Sequence, residues 1–127
     1  QQVDTALAKQ SGEDFAAIHV GLSRGIQALA EAATYIATNF SQDIKGVHVG
    51  AVPFLRLMGI VSGGWQMARA ALVAQAKIAA GDSDPYYPTK IATTRFYADH
   101  VLSQSSGLAQ TVIKGGAGAL SVPEEHM

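Results

Sequence analysis

The sequence predicts an all-α fold, an up-down bundle of three long antiparallel helices with a short fourth helical segment at the N-terminus. Three observations predict it. Long stretches carry apolar residues at alternating spacings of three and four, the signature of one helix face. No stretch alternates apolar and polar residues as a half-buried strand does. The connections are short and rich in turn formers, which makes consecutive helices antiparallel neighbours. The 127 residues suit one helical domain spanning 1–127.

Residues 3–9 can form a helical turn and supply the short segment. In the first long helix, 13–40, Phe15, Ile18, Leu22, Ile26, Leu29, Ala33, Ile36 and Phe40 form one stripe. Ser11 with Asp14 resembles a capping box, and Glu13 and Asp14 suit the positive end of the helix dipole. Residues 42–50 carry two Gly and no stripe, which predicts a plain connection. The second helix begins near Pro53, a residue suited to a first turn. Met58, Val61, Trp65, Ala68 and Leu72 make one stripe; Leu57, Ile60, Gly64, Met67 and Ala71 make a displaced second one. Two apolar faces predict a central helix with neighbours on both sides and Trp65 as a core anchor. Gly81 suits its C-terminal end.

The loop over 82–88 collects Asp82, Asp84, Pro85 and Pro88. Pro88 disfavours helix at Tyr87 and begins the third helix itself. There Ile91, Thr94, Ala98, Val101, Ser105, Leu108 and Val112 repeat the three-four spacing. Gly115, Gly116 and Gly118 weaken its end, and Pro123 precedes a charged tail. Each rod of about 27 residues is ~40 Å long. Gly21 and Gly25, and likewise Gly59 and Gly63, sit one turn apart inside helices, where each costs roughly 1 kcal/mol against Ala. Close backbone contact is the expected reason.

Composition excludes several function classes. Hydrophobic residues make up 48% and charged residues only 15%, against about 25% charged in an average soluble protein. Such a chain has ample core material, so disorder is excluded. A net charge of −1 carries no electrostatic footprint for nucleic acid or an anionic membrane. The absence of cysteine rules out a disulfide framework, a Cys-ligated zinc and a thiol nucleophile, and fits a reducing, cytoplasmic setting. The start Gln1-Gln2-Val3-Asp4 is no signal peptide and lacks an initiator Met, which predicts a processed or excised chain. Arg56, Gln66 and Arg69 interrupt the most apolar stretch, 51–74, so no membrane span is expected.

The chemistry-bearing residues form no catalytic constellation. Neither Glu13 nor Glu31 has a His three residues on, as a bundle metal site would want. His19, His48, His100 and His126 have no ligand-like spacing, and the paired glycines lack a phosphate-loop fingerprint. No catalytic, cofactor-binding or metal-binding residue is assigned. Arg95-Phe96-Tyr97-Ala98-Asp99-His100 gathers a cation, aromatics and titratable groups within two turns. Its plainer reading is a helix whose aromatics pack while Arg95 and Asp99, four residues apart, pair on the surface; its sharper reading is a contact surface for a partner domain or a ligand, since Arg and Tyr favour interfaces. Arg56 and Arg69 extend along an apolar helix with their heads in water, or pair with acids of a partner or with a phosphate.

Three blocks of the chain resemble a known family. Val52-Pro53-Phe54-Leu55-Arg56-Leu57-Met58-Gly59-Ile60-Val61-Ser62-Gly63-Gly64-Trp65 is followed by Ala68-Arg69-Ala70-Ala71-Leu72. Lys90-Ile91-Ala92-Thr93-Thr94-Arg95-Phe96-Tyr97-Ala98-Asp99-His100-Val101-Leu102 comes next, and Leu120-Ser121-Val122-Pro123-Glu124-Glu125 ends the chain. In order and distance these are similar to the helical C-terminal extension of acyl-CoA dehydrogenases of the 3-methylmercaptopropionyl-CoA dehydrogenase-like subclass, from about Ser11 onward. The family often has Pro where Ser103 stands, which predicts a less interrupted third helix here.

The resemblance implies a parent enzyme that binds FAD and removes hydrogens from Cα and Cβ of an acyl-CoA, giving 2-enoyl-CoA. A carboxylate takes the α-proton, flavin N5 takes the hydride, and an electron-transfer flavoprotein reoxidises the flavin. Base, flavin site and most of the acyl pocket belong to a preceding core, so Glu31, Glu124 and Glu125 inherit no role. The chain itself is then an inactive auxiliary domain of fatty acid metabolism. It packs on the dehydrogenase core or in a homo-oligomer and borders the entrance for CoA, with Arg56, Arg69, Tyr86, Tyr87, Arg95 and Tyr97 as interface candidates. The alternative is a free-standing helical module that holds an apolar acyl ligand between its helices. Close-packed helices with an exposed apolar face favour the first, and an enclosed acyl-sized cavity favours the second.

Overall fold

The computed structural model describes residues 2–42 and 44–120, and side chains at 46 and 116–120 are not among the described ones. These residues form α-helices and no strand: α1 Gln2–Lys9, α2 Glu13–Asn39, α3 Ile44–Val49, α4 Ala51–Ala79, α5 Tyr86–His100 and α6 Ser105–Leu120, with a 3-10 turn Leu102–Gln104 before α6. The all-α class stands. The expected three unbroken rods differ from this in two places. Residues 44–49, expected as a connection, coil into α3, whose Val47 is buried and which packs on α6. The third rod is divided, although Ser103 replaces the family's Pro. The Pro123 tail, Glu124, Glu125 and His126 lie outside the described residues.

The core explains the division. Leu102, 3% exposed, points from the 3-10 turn into a gap left by two glycines. A Cβ on Gly25 would lie 3.3 Å from Leu102 Cδ2, and one on Gly64 only 2.8 Å from it. Shifting the chain at Val101–Gln104 seats Leu102 between α2 and α4. The glycine pair, rather than a proline, accounts for the break.

The same close approach turns the buried faces. On α2 the buried line runs Phe15, Ile18, Leu22, then Gly25, Ala28 and Ala32. The predicted Ile26 and Leu29 are displaced to half-buried flanks and Ala33 is exposed. Where helices nearly touch, only small residues fit the seam and the large ones flank it. On α4 the buried line Leu57, Val61, Gly64, Ala68, Ala71 and Ala74 draws on both predicted stripes. Gly21 and Gly25 have the expected packing reason, with Ala98 Cβ 3.1 Å and Val61 Cγ2 3.2 Å from an added Cβ. Gly63 faces the Tyr97 hydroxyl, but Gly59 meets nothing within 4 Å, so its packing reason is absent.

Residue pairings give the directions. Phe15, Ile18 and Leu22 share a cluster with Ala68, Ala71 and Ala74, whereas Ala28 and Ala32 share one with Leu57 and Val61. Thus α2 and α4 run antiparallel. Thr94 bonds the Met67 carbonyl and Tyr97 the Ile60 carbonyl, so α5 returns along α4.

Helix ends follow local chemistry. The capping box does not form: Gly12, at φ 102, occupies the N-cap without a side-chain bond, and Asp14 accepts from Arg95 instead. Gly81, at φ 94, closes α4 in a Schellman arrangement, with Gly81 N–H on the Ile78 carbonyl and Asp82 N–H on that of Lys77, both 3.0 Å. Helix α5 starts at Tyr86, earlier than Pro88 suggests, because Asp84 Oδ1 accepts the Tyr86 N–H at 2.9 Å. Pro88 then sits in the first turn, where a backbone N–H has no intrahelical acceptor anyway.

Ser105, 1% exposed, carries a hydroxyl without a hydrogen-bond partner. An unmade buried bond costs its desolvation, so Ser105→Ala is expected to leave stability unchanged or raise it by up to ~1 kcal/mol. Thermal melting of the variant checks this. A fall of several degrees would mean the hydroxyl has a partner after all.

Candidate functional site

The six interface candidates do not converge. Arg95 is held within the fold: its guanidinium meets Asp14 at 3.1 Å, Asp99 at 3.3 Å and Glu13 at 3.7 Å, tying α5 to the start of α2. The hydrogen bond that Arg95 donates to Asp14, opposed by desolvation and aided by Asp99 and Glu13, holds Arg95 above its ordinary pKa. The predicted Arg95–Asp99 pair is therefore present as part of a larger cluster, but the aromatics of that run do not all pack: Phe96 is 62% exposed and meets the His100 ring, at 4.2 Å, one turn on.

Tyr97 also works inside the fold. Its hydroxyl donates to the Ile60 carbonyl at 2.7 Å, and burial raises its pKa. A net contribution near 1 kcal/mol is typical of such a bond. Tyr97→Phe should therefore unfold at about 0.2–0.5 M lower guanidinium, with an unchanged slope, and an unchanged midpoint would refute a stabilising role.

Tyr86 and Tyr87 meet edge to face at 5.6 Å beside the Asp82–Asp84 turn. Tyr86 is exposed, whereas Tyr87 packs partly on the first core cluster. Burial, then Asp82 and Asp84, raise the Tyr87 pKa. Arg56 and Arg69 are exposed on α4. Among the described residues neither has a carboxylate partner, but Arg69 stacks 4.9 Å above the Trp65 ring. Trp65 is not the expected core anchor: it is 37% exposed and flanks the outer side of α4.

That outer side is the most distinctive surface of the chain. Val52, Leu55, Gly59, Ser62, Gln66, Arg69 and Val73 fall on one stripe, with Val52 76%, Leu55 65% and Val73 59% exposed. Met58 and Trp65 flank it. Among the described residues, the doubly apolar pattern that predicted neighbours on both sides of α4 thus has neighbours on one side only. Sequence reasoning missed this stripe because it lies outside the two that were read as core, on the side of α4 opposite the buried line. A clue was available: three of its members, Val52, Leu55 and Val73, are large and belong to neither core stripe.

No enclosed chamber accompanies the surface. A groove of about 460 Å³ along Gln2, Val3, Ala6, Arg69 and Val73 and another of about 380 Å³ along Ile26, Ser62 and Trp65 are open to solvent. Glu31 accepts only from Gln27, at 3.3 Å, and His19 meets Asp4 at 2.8 Å. No cluster of three His, Cys, Asp or Glu suited to a metal occurs among the described residues. No described helix is long and apolar enough to cross a membrane.

Comparison with known proteins then decides the family. Residues 1–123 match the family described as acetyl-CoA dehydrogenase C-terminal like. The chain belongs to that family. It is also 34% identical, over 113 residues, to 3-methylmercaptopropionyl-CoA dehydrogenase of Ruegeria pomeroyi (strain ATCC 700808 / DSM 15171 / DSS-3). That similarity covers 78% of this chain and 19% of the relative, so the chain spans about a fifth of the relative's length. No solved structure matches. The flavin expected in such enzymes needs a slot that covers most of its ring system. The open grooves here, walled mainly by Ala, Val and Gln, do not fit it, and no chemical step is derived through a flavin on this chain.

Proposed function

We propose that this chain is the C-terminal auxiliary domain of an FAD-dependent acyl-CoA dehydrogenase that oxidises acyl-CoA to 2-enoyl-CoA. Its own part is to pack on the remainder of that enzyme. FAD, acyl-CoA and the electron-transfer flavoprotein are partners of the larger protein, in the cytoplasm. The observation that carries the reading is the outer stripe of α4, which no described element covers. Contiguous apolar surface of that kind marks an interaction site. Arg56, Arg69 and Tyr86 are the candidates left free to take part.

The free-standing acyl-binding module is less well supported. Its ligand would lie between the helices, yet Ala32, Ala68 and Ala71 are fully buried there, and the glycine contacts leave no room for a chain of methylenes. Two measurements test the proposal. The gene should continue upstream of Gln1 into a flavoprotein core, and the separately expressed core should retain the added chain on a column. Stoichiometric FAD binding or dehydrogenase turnover by the chain alone would sink it, as would a core that does not bind it.

A further inference from the structure

The chemistry of α4 narrows what can cover its outer stripe. Residues 44–81 contain no Asp or Glu, while Lys45, Arg56, Arg69 and Lys77 fall within them. The described acids lie elsewhere: Asp4, Glu13, Asp14, Glu31, Asp82, Asp84 and Asp99 belong to α1, α2, α5 and the loop before α5. The stripe spans about 32 Å: it is apolar at Val52, Leu55 and Val73, polar at Ser62, Gln66 and Arg69, and free of carboxylates, and among the described residues Arg56 and Arg69 have no carboxylate partner. Stacking on Trp65 keeps the Arg69 guanidinium beside the apolar surface.

The middle of the stripe is flat. Gly59 has nothing within 4 Å of a built Cβ, so the fold gains nothing internally from a residue that weakens the helix by about 1 kcal/mol. Ser62 follows one turn later, and larger apolar residues stand on either side. Small residues at a helix surface let another helix approach its backbone closely.

A second copy of this chain is a poor occupant. Two copies packed α4 on α4, in either direction, gather four arginines along one contact, and α4 supplies no carboxylate to meet them. We infer that the outer face of α4 receives an acidic amphipathic helix, whose apolar stripe crosses at Gly59–Ser62 and whose carboxylates meet Arg56 and Arg69. The inference rests on the auxiliary-domain reading, with the larger enzyme supplying that helix.

Trp65 is the only tryptophan in the chain and reports directly on the face. The 127-residue chain is titrated with two synthetic helical peptides that share one Leu/Ala stripe, one flanked by Glu and one by Lys. The Glu peptide should give a saturable blue shift in Trp65 emission that weakens with added salt, and the Lys peptide should give none. Arg56→Glu with Arg69→Glu should weaken the Glu peptide on the order of tenfold or more and transfer preference to the Lys peptide. Gly59→Leu, entering open space, should melt no lower than the wild type and still lose affinity. Equal binding of both peptides, binding of neither, or a wild-type dimer by light scattering that Leu55→Glu dissolves would each overturn the inference. If the chain nevertheless binds the dehydrogenase core, the auxiliary-domain reading survives that failure; absence of core binding removes the reading itself.

Discussion

Gly64→Val should destabilise the chain by about 2–3 kcal/mol, a fall of roughly 10 °C in melting temperature. A single Cβ at this position would lie 2.8 and 2.9 Å from the two methyl carbons of Leu102 and 3.1 Å from its Cγ. Terminal methyls can often turn aside, but Leu102 is buried and has Gly25 on its other side, so it has nowhere to go. Valine adds two further methyls to the same crowded point. The gain in helix propensity on losing a glycine is below 1 kcal/mol and does not compensate. Gly59→Ala supplies the contrast: it adds a methyl on the same helix in open space and should raise stability by up to ~1 kcal/mol. Chemical denaturation of the two variants separates a steric seam from general tolerance of glycine in α4. If Gly64→Val melts like the wild type, Leu102 does not wedge between α2 and α4, and the account of the broken third rod fails with it.

That seam also marks how far the sequence could be read. Helix type was legible throughout, because spacing of three and four over many residues leaves no strand alternative. The break at Leu102–Gln104 was not, since Val101 and Ser105 continue the stripe with the proper spacing and no breaker stands between them. Its cause lies on two other helices, at Gly25 and Gly64, and only their proximity reveals it. Helix α3 escaped for a related reason: six residues are too few for a periodicity, and its packing against α6 stabilises it. At the candidate surface, the chemistry of Arg95 was half visible. A neighbour four residues away could be seen in the chain, whereas Asp14 is 81 residues distant. Arg56 and Arg69 stood out as cations in apolar surroundings, but their lack of carboxylate partners is a property of the fold.

The composition has a related lesson. The low share of charged residues left open whether the apolar excess was core or surface. The fold divides it: one edge of each predicted stripe of α4 is buried, and a third stripe of large residues faces outward. A test of that division compares adjacent residues. Leu57→Ala should cost about 3–4 kcal/mol, and Met58→Ala well under 1 kcal/mol. Leu57 is 0% exposed and lies in the cluster with Ala28, Ala32, Val61, Ala109 and Val112. Its neighbours are small or helix-borne, so they cannot collapse into the space a leucine leaves, and the cavity term adds to the lost transfer energy. Met58, 41% exposed on the outer side, opens no cavity when shortened. A loss of 3–4 kcal/mol is a large part of the 5–15 kcal/mol available to an ordinary domain, so Leu57→Ala should show measurable unfolding near 37 °C by circular dichroism. Equal effects at the two positions would mean that α4 is covered on both sides already, as its sequence pattern suggests, and the outer stripe would then lose its claim to be a docking surface.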